Sequence, residues 1–572
     1  MVDAGSVVDL LKEARDRRSA ALILELDLSD GIVEGQPADP VSALLSMRRT
    51  HLRDVLGGLR RARTDARVRA LIVKIGGHRL GLAMAQELRD AISAFRDSGK
   101  LTVAWAESFG EVSRGTVPYY LASVFERIYM QPSGDLALTG LSLEEPFFNE
   151  ALGKIGVTPR FAKRHEYKTA ANTFMERAYT PEHEEMSGRL VASAGEQVVA
   201  GVAAGRGLPE ERVRELIDRA PLLGAEALEA GLVDKLAYRD EVYAKVRAAI
   251  STTGRPDETT RLRYISRYNR TQGLAKRIPR PQQEAVALIQ GQGQIQLGRS
   301  GHGALPGRGS SIGSETIAAA FRAAVKDEKV QAIVFRVDSP GGSYVASDTI
   351  WREVVLAREA GKPVIVSMGN VAASGGYFVA APATVIVAQP GTLTGSIGVL
   401  VGKPVIGDLL GRLGVGLGSV EQGAHARMFA PTRDFTEEEW TRVNSFLDRV
   451  YDDFVAKVAE GRDLSRERVD SLARGRVWTG ADAHERGLVD ELGGLGRALD
   501  LARKKAGLSS DAPVRVIPHV SPLDRLRPAE SSEDRTAASA RLDMWGPMSA
   551  LAVRLGLPSG GPLMLPGDWD IG

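Results

Sequence analysis

The chain has 572 residues, 43% of them hydrophobic and 26% charged, which is ordinary globular material with length for two to four domains. Its 74 basic and 72 acidic residues leave a formal net charge of +2, so no electrostatic reason exists to expect nucleic acid or an acidic partner. The absence of cysteine excludes disulfides, thiolate metal sites and a cysteine nucleophile.

The start, Met1-Val-Asp-Ala-Gly-Ser-Val-Val-Asp-Leu-Leu-Lys12, lacks a basic segment followed by an apolar stretch. No apolar run in the chain approaches the roughly 18 to 20 residues that cross a bilayer. The expectation is a chain neither exported nor anchored by itself, cytoplasmic or peripherally membrane-associated. From Ser19, short β-branched runs alternate with helical stretches: Ala70-Leu-Ile-Val-Lys-Ile75 reads as a strand, Ala83 to Phe95 as a helix, and Ser98-Gly-Lys-Leu-Thr-Val103 as the next strand. This alternation predicts βαβ units and an α/β fold with largely parallel sheets. From Ser251 to Gln283 Thr, Arg, Pro and Gln replace apolar periodicity, which reads as a linker. The Gly-rich stretch from Gly291 to Gly309 lacks the Lys-Ser/Thr ending of a phosphate loop and reads as a flexible loop over a site.

The remainder repeats the beginning. Ala332-Ile-Val-Phe-Arg-Val337 matches Ala70 to Ile75, and Ala360-Gly-Lys-Pro-Val-Ile365 matches Ser98 to Val103. Tyr377-Phe-Val-Ala380 with Gln389-Pro390 matches Tyr119-Tyr-Leu-Ala122 with Gln131-Pro132. Gly487-Leu-Val-Asp490 matches Gly231-Leu-Val-Asp234. Four matches in one order predict two homologous domains arisen by internal duplication: 1–250 and 284–507, a linker at 251–283 between them, and a tail at 508–572. The tail carries apolar stretches, Met544 to Leu557 and Pro562-Leu-Met-Leu-Pro566, flanked by Trp545 and Trp569. Packing on its own domain or on a neighbouring subunit is the plainer reading, and peripheral membrane contact the other.

Chemistry concentrates in the second copy. Ser374, in Ala373-Ser-Gly-Gly-Tyr377, follows the apolar run Pro363 to Met368, at a strand-to-helix junction where a hydroxyl stands beside free backbone N–H groups. Asp338-Ser-Pro-Gly-Gly342 follows another apolar run and supplies a second glycine turn for the same oxyanion. The first copy has Thr116 where the second has Ser374, and Gly76-Gly-His-Arg-Leu80 where the second has the glycine turn. It carries Lys168, in Arg164-His-Glu-Tyr-Lys-Thr-Ala170, whereas Gln422 to Met428 of the second copy has no lysine. One copy keeps the serine and the other the lysine.

On Asp338-Ser-Pro-Gly-Gly-Ser343, Ala373 to Tyr377, Thr394-Gly-Ser-Ile-Gly398, Tyr167-Lys-Thr-Ala170 and the two Gly-Leu-Val-Asp segments, the chain resembles the long, tandem-domain form of the signal peptide peptidase A (protease IV) family, serine–lysine peptidases of ClpP/crotonase-like fold. The resemblance implies Ser374 as nucleophile and Lys168 as general base. It also implies the N–H groups of Gly342 and Gly375 as the oxyanion hole, and Ser396 as a serine that orients the lysine. It further implies apolar peptide substrates such as signal-peptide remnants, and a bowl-like homo-oligomer, a tetramer in the family. The N-terminal membrane helix of the better-known long members is missing here.

Elementary chemistry asks the same of these residues. Lysine with its ordinary pKa near 10.4 is neutral about once in a few thousand at pH 7, so it serves as a base only when burial lowers that value by about 3 to 5 units and no carboxylate touches it. Glu166, two residues from Lys168, is the group that would spoil this. No cofactor is expected, and no metal, because the eight histidines are scattered. A crotonase-like acyl-CoA enzyme and a catalytically inactive oligomeric scaffold are the alternatives, since both would keep the fold without needing Ser374 or Lys168.

Overall fold

The computed structural model describes residues 20–35, 49–76, 80–251, 253, 255, 259–276, 283–302, 310–517 and 562–564. The first half is built on a six-stranded sheet in the order Lys235–Leu236, Arg127–Met130, Leu101–Ala106, Val68–Lys74, Leu22–Asp27, Arg261–Tyr264, with every neighbouring pair parallel. The second half repeats that order with Glu491–Leu492, Val385–Ala388, Val364–Ala373, Val330–Ser339, Ala285–Gln292 and Val514–Val516, again parallel. The α/β fold with two tandem, largely parallel sheets is therefore the one the sequence predicts.

The central strands read as continuous apolar runs because both faces are covered. Along Val330–Ser339, Ile333, Phe335 and Val337 join one buried cluster with Ile317 and Phe321 of the helix Ser314–Lys326 and Ile350 and Val354 of the helix Tyr344–Glu359. Ala332 and Val334 point the other way, into a cluster with Ala498 and Ala502 of the helix Leu495–Lys505. The period-two alternation of a strand thus feeds two helical layers.

The repeated sequence motifs are repeated hydrogen bonds. Tyr119 Oη donates to Leu232 O at 2.7 Å, and Tyr377 Oη to Leu488 O at 2.8 Å. Asp234 accepts from Ile128 N at 2.7 Å, and Asp490 from Ile386 N at the same distance. The two Gly-Leu-Val-Asp segments are structural ties at the ends of sheets, not chemistry.

Several segments differ from the sequence reading. Residues 261–264, read as linker, and 514–516, read as tail, each add a parallel edge strand beside the first strand of their half. Their arginines hid them, because edge strands tolerate charge that central strands exclude. Of the stretch read as a flexible loop, Gln294–Gln296 and Gly301–His302 are strands of a five-stranded sheet that also contains Gly341–Gly342, while 303–309 lie outside the described residues. The apolar tail segment 544–557, with Trp545, and Trp569 also lie outside them. Among the described residues no helix is long and apolar enough to cross a membrane.

The halves interlock. The strand Thr158–Lys163 of the first pairs antiparallel with Leu400–Val405 of the second over six residues. Arg189 of the first half bonds Asp482 of the second at 2.8 and 3.1 Å. Arg336 of the second reaches Glu34 and Glu87 of the first, and all three are buried.

Candidate active site

Two backbone devices place Ser374. The strand Val364–Ala373 delivers it to the start of the helix Gly375–Ala380, and at the junction it takes φ 54°, ψ −114°, a strained turn for a residue with a side chain. Its N–H is held by Gly395 O at 2.8 Å. By position Ser374 is the helix N-cap, yet its hydroxyl caps nothing. Oγ lies instead 2.8 Å from Lys168 Nζ.

Lys168 comes from the first half. The strand pairing of Thr158–Lys163 with Leu400–Val405 carries it across the seam, five residues beyond the end of the ladder. Its Nζ also lies 3.0 Å from Ser396 Oγ and donates to Ser396 O at 3.1 Å, so the side-chain and carbonyl partners recorded for it are all serine oxygens. The side chain is buried, and burial pulls the ammonium down from 10.5 to about 7. Glu166 does not interfere. Its carboxylate turns to Arg474, at 2.8 and 3.0 Å, and that guanidinium holds it below its ordinary range. His165 likewise turns away, with its ring 4.5 Å from that of Tyr451.

The glycine turn meets the serine. A Cβ placed on Gly375 would lie 3.1 Å from Gly342 N, so the two amides border the same space. Gly341 and Gly342 have φ 104° and 151°, and a Cβ on Gly341 would stand 2.7 Å from Gly375 N. Only glycine lets these backbones approach so closely. Ser374, Lys168, Gly342, Gly375 and Ser396 therefore share one small buried site. The first copy's Thr116 donates its hydroxyl to Gly140 O at 2.8 Å, a closed local contact with no lysine in it.

Two contributors escape sequence reading. Gly475 has φ 87°, and a Cβ there would fall 2.4 Å from Lys168 N, so this glycine is what admits the lysine backbone. The visible signal was Ala473-Arg-Gly-Arg476, a turn just before a strand. Below the glycine turn, Arg336 bonds Ser367 Oγ and Met368 O at 2.9 Å each, and Glu87 at 2.8 Å, in addition to Glu34. An arginine inside the apolar run Ala332 to Val337 was its signal. Asp338, between Arg336 and the turn, accepts from Val371 N at 3.0 Å, and burial with the nearby Glu34 charge pushes it up to about 6.

A buried serine–amine pair beside two glycine amides can carry out acyl transfer. The family description Peptidase family S49 matches residues 94–252 and 356–509. Serine protease SPPA, chloroplastic, of Arabidopsis thaliana is 31% identical over 464 residues, which is 80% of this chain and 66% of that protein. Protease 4 of Haemophilus influenzae is 30% identical over 477 residues, 81% of this chain and 74% of that one. Among solved structures, a ClpP1 mutant from Listeria monocytogenes aligns with 37% of this chain and 94% of its own at a TM-score of 0.24 and 15% identity. The chain belongs to peptidase family S49 and is a serine peptidase similar to SppA and protease 4.

Proposed function

We propose that the chain is an endopeptidase that cleaves apolar peptides, such as signal-peptide remnants, with Ser374 as nucleophile and Lys168 as general base. The observation that carries this reading is the 2.8 Å approach of Lys168 Nζ to Ser374 Oγ in a buried site free of carboxylate contact. At about 7, Lys168 is half neutral at pH 7. Relative to an exposed lysine, that recovers roughly 4 to 5 kcal/mol otherwise lost to protonation.

In this reading Ser374 Oγ attacks the peptide carbonyl while its proton passes to Lys168 Nζ. The N–H groups of Gly342 and Gly375 hold the oxyanion, each donor contributing about 3 to 4 kcal/mol by analogy with oxyanion donors elsewhere. Lys168 then protonates the leaving amine, and water, activated by the same amine, hydrolyses the acyl-enzyme. Ser396 keeps Nζ aimed at Oγ. Ala373, Leu393 and Val477, with half-buried Tyr167 and Val371 against them, form an apolar cluster next to the nucleophile and support an apolar substrate.

The homo-oligomer belongs to the same reading. Leu413, Val415, Leu417, Val420 and Phe429 expose apolar surface that a second copy would cover. The test of the chemistry is hydrolysis of a fluorogenic apolar peptide ester, which Ser374→Ala and Lys168→Ala must each abolish. A crotonase-like acyl-CoA activity or a scaffold would leave both variants unaffected.

A further inference from the structure

Gly475, whose missing side chain admits the Lys168 backbone, is flanked by two arginines, and each holds a carboxylate from the lysine's own half. Arg474 grips Glu166 with its fork, Nε to Oε1 at 2.8 Å and Nη2 to Oε2 at 3.0 Å. Arg476 bonds Glu185 of the helix Pro181–Arg206 and lies over the Tyr167 ring, while Tyr167 Oη donates to Glu185 at 2.6 Å. Of the other titratable groups around the lysine segment, His165 packs on Tyr451, Tyr451 Oη donates to Asp470 at 2.7 Å, and Lys163 Nζ donates to Asn172 Oδ1 at 2.7 Å.

The pair of Arg474 with Glu166 is made by two strained turns. Arg474 has φ 55°, and His165, next to Glu166, has φ 65°, left-handed conformations that residues with side chains keep only where the surroundings impose them. Tyr451 ties the two turns, its ring 4.5 Å from that of His165 and its Oη accepting from Arg474 N at 3.3 Å. Yet 43% of the Arg474 side chain and 33% of the Glu166 side chain are accessible, and ion pairs so exposed add little to stability. What the pair changes is the charge beside the base. Glu166 is two residues from Lys168, whose amine burial keeps neutral, and an opposite charge within about 4 to 6 Å would raise the pKa of such an amine by about 1 to 3. We propose that Arg474 is a positioning residue for the base: its guanidinium keeps the Glu166 carboxylate off the Lys168 amine, so that the amine stays neutral and aimed at Ser374. The inference rests on the assignment of Lys168 as general base. The Arg474 charge acts in the same sense, since a fixed cation nearby opposes a second one at Nζ.

Direct titration of Lys168 separates this inference from the chemistry. The full-length chain is prepared with lysine isotope-labelled at Cε, and the resonance that Lys168→Met removes is followed by NMR across pH. Hydrolysis of the apolar peptide ester is measured alongside. In Arg474→Gln the expected result is a Lys168 midpoint raised by at least about one pH unit. The rate at pH 7 then falls about five- to tenfold and recovers toward pH 9, with KM little altered. Arg474→Lys, which keeps the charge without the fork, shifts the midpoint less, and it carries the comparison if Arg474→Gln does not fold. Adding Glu166→Gln to Arg474→Gln returns the midpoint and the pH 7 rate toward wild type, which the loss of a merely structural anchor would not allow. An unchanged midpoint in Arg474→Gln, or a raised one that persists in the double variant, overturns the role given to Arg474 and leaves the Ser–Lys reading standing where hydrolysis still needs Lys168. A raised midpoint that Glu166→Gln reverses, with hydrolysis indifferent to Lys168→Met, supports the hold on Glu166 and overturns the Ser–Lys reading.

Discussion

At the residue scale the site turns on one amine whose burial is costly. Lys168 is held at about 7 against 10.5, with desolvation as the cause. Between those two values the unfolded chain binds a proton that the folded chain does not, so stability rises with pH across that window and the full penalty is present below pH 7. Lys168→Met is therefore expected to raise Tm at pH 7, with the gain fading by about pH 10, while abolishing hydrolysis. A thermal melt series over pH checks it, and a lower Tm at pH 7 would contradict the burial cost. Ser396→Ala removes one of the partners that aim Nζ. Its expected effect is a fall of about five- to tenfold in kcat with KM unchanged, as for one lost hydrogen bond of about 1 kcal/mol.

At the element scale, turns and ladder ends do the positioning. The antiparallel ladder between Thr158–Lys163 and Leu400–Val405 fixes the lysine segment against the half that holds the serine. Gly475 then clears room for the Lys168 backbone, with φ 87° and no space for a Cβ. Gly475→Ala should cut kcat at least about a hundredfold, because a shift of about 1 Å at a reacting group has that effect. KM for the apolar ester should change little, since Gly475 abuts the Lys168 backbone. Circular dichroism and a full kinetic curve would separate this from simple unfolding.

How much of this was legible differs from element to element. Ser374 and the glycine turn stood out because each follows an apolar strand and precedes a helix, a pattern visible in one dimension. Lys168 was found through the unequal copies: a lysine kept where the other copy has none marks a retained task. The edge strands Arg261–Tyr264 and Val514–Val516 were missed because edge positions relax the apolar rule that sequence reading relies on. Gly475 was missed because its partner, Lys168, lies some three hundred residues earlier in the chain, and close approach of two distant backbones leaves no periodic trace.

At the scale of the whole molecule, the two halves meet through a buried charge cluster. Arg336 pairs with Glu34 and Glu87 from the other half, and burial raises Glu87 from its ordinary value. Arg336→Met would strand two carboxylates in the seam beneath the glycine turn. The expected cost is about 3 to 5 kcal/mol at pH 7. Glu87, raised by burial, takes up its proton in the folded state first, so the variant should recover stability as pH falls toward 5, opposite to ordinary acid denaturation. Denaturant melts at pH 5 and 7 read the sign directly. Replacing exposed Leu413, Leu417 and Phe429 by serine should shift sedimentation toward the monomer while leaving the fold intact. An unchanged profile would contradict the proposed homo-oligomer through this patch.

The central claim is that a serine from one half and a lysine from the other form a single reacting pair. The most direct measurement is kcat/KM for a fluorogenic apolar peptide ester between pH 6 and 10, for wild type, Ser374→Ala and Lys168→Ala. The account predicts activity in the wild type alone, falling at least about a thousandfold in each variant and rising with pH through an apparent pKa near 7. A wild-type rate in either variant, or a rise centred near the ordinary lysine value of about 10.4, would contradict it.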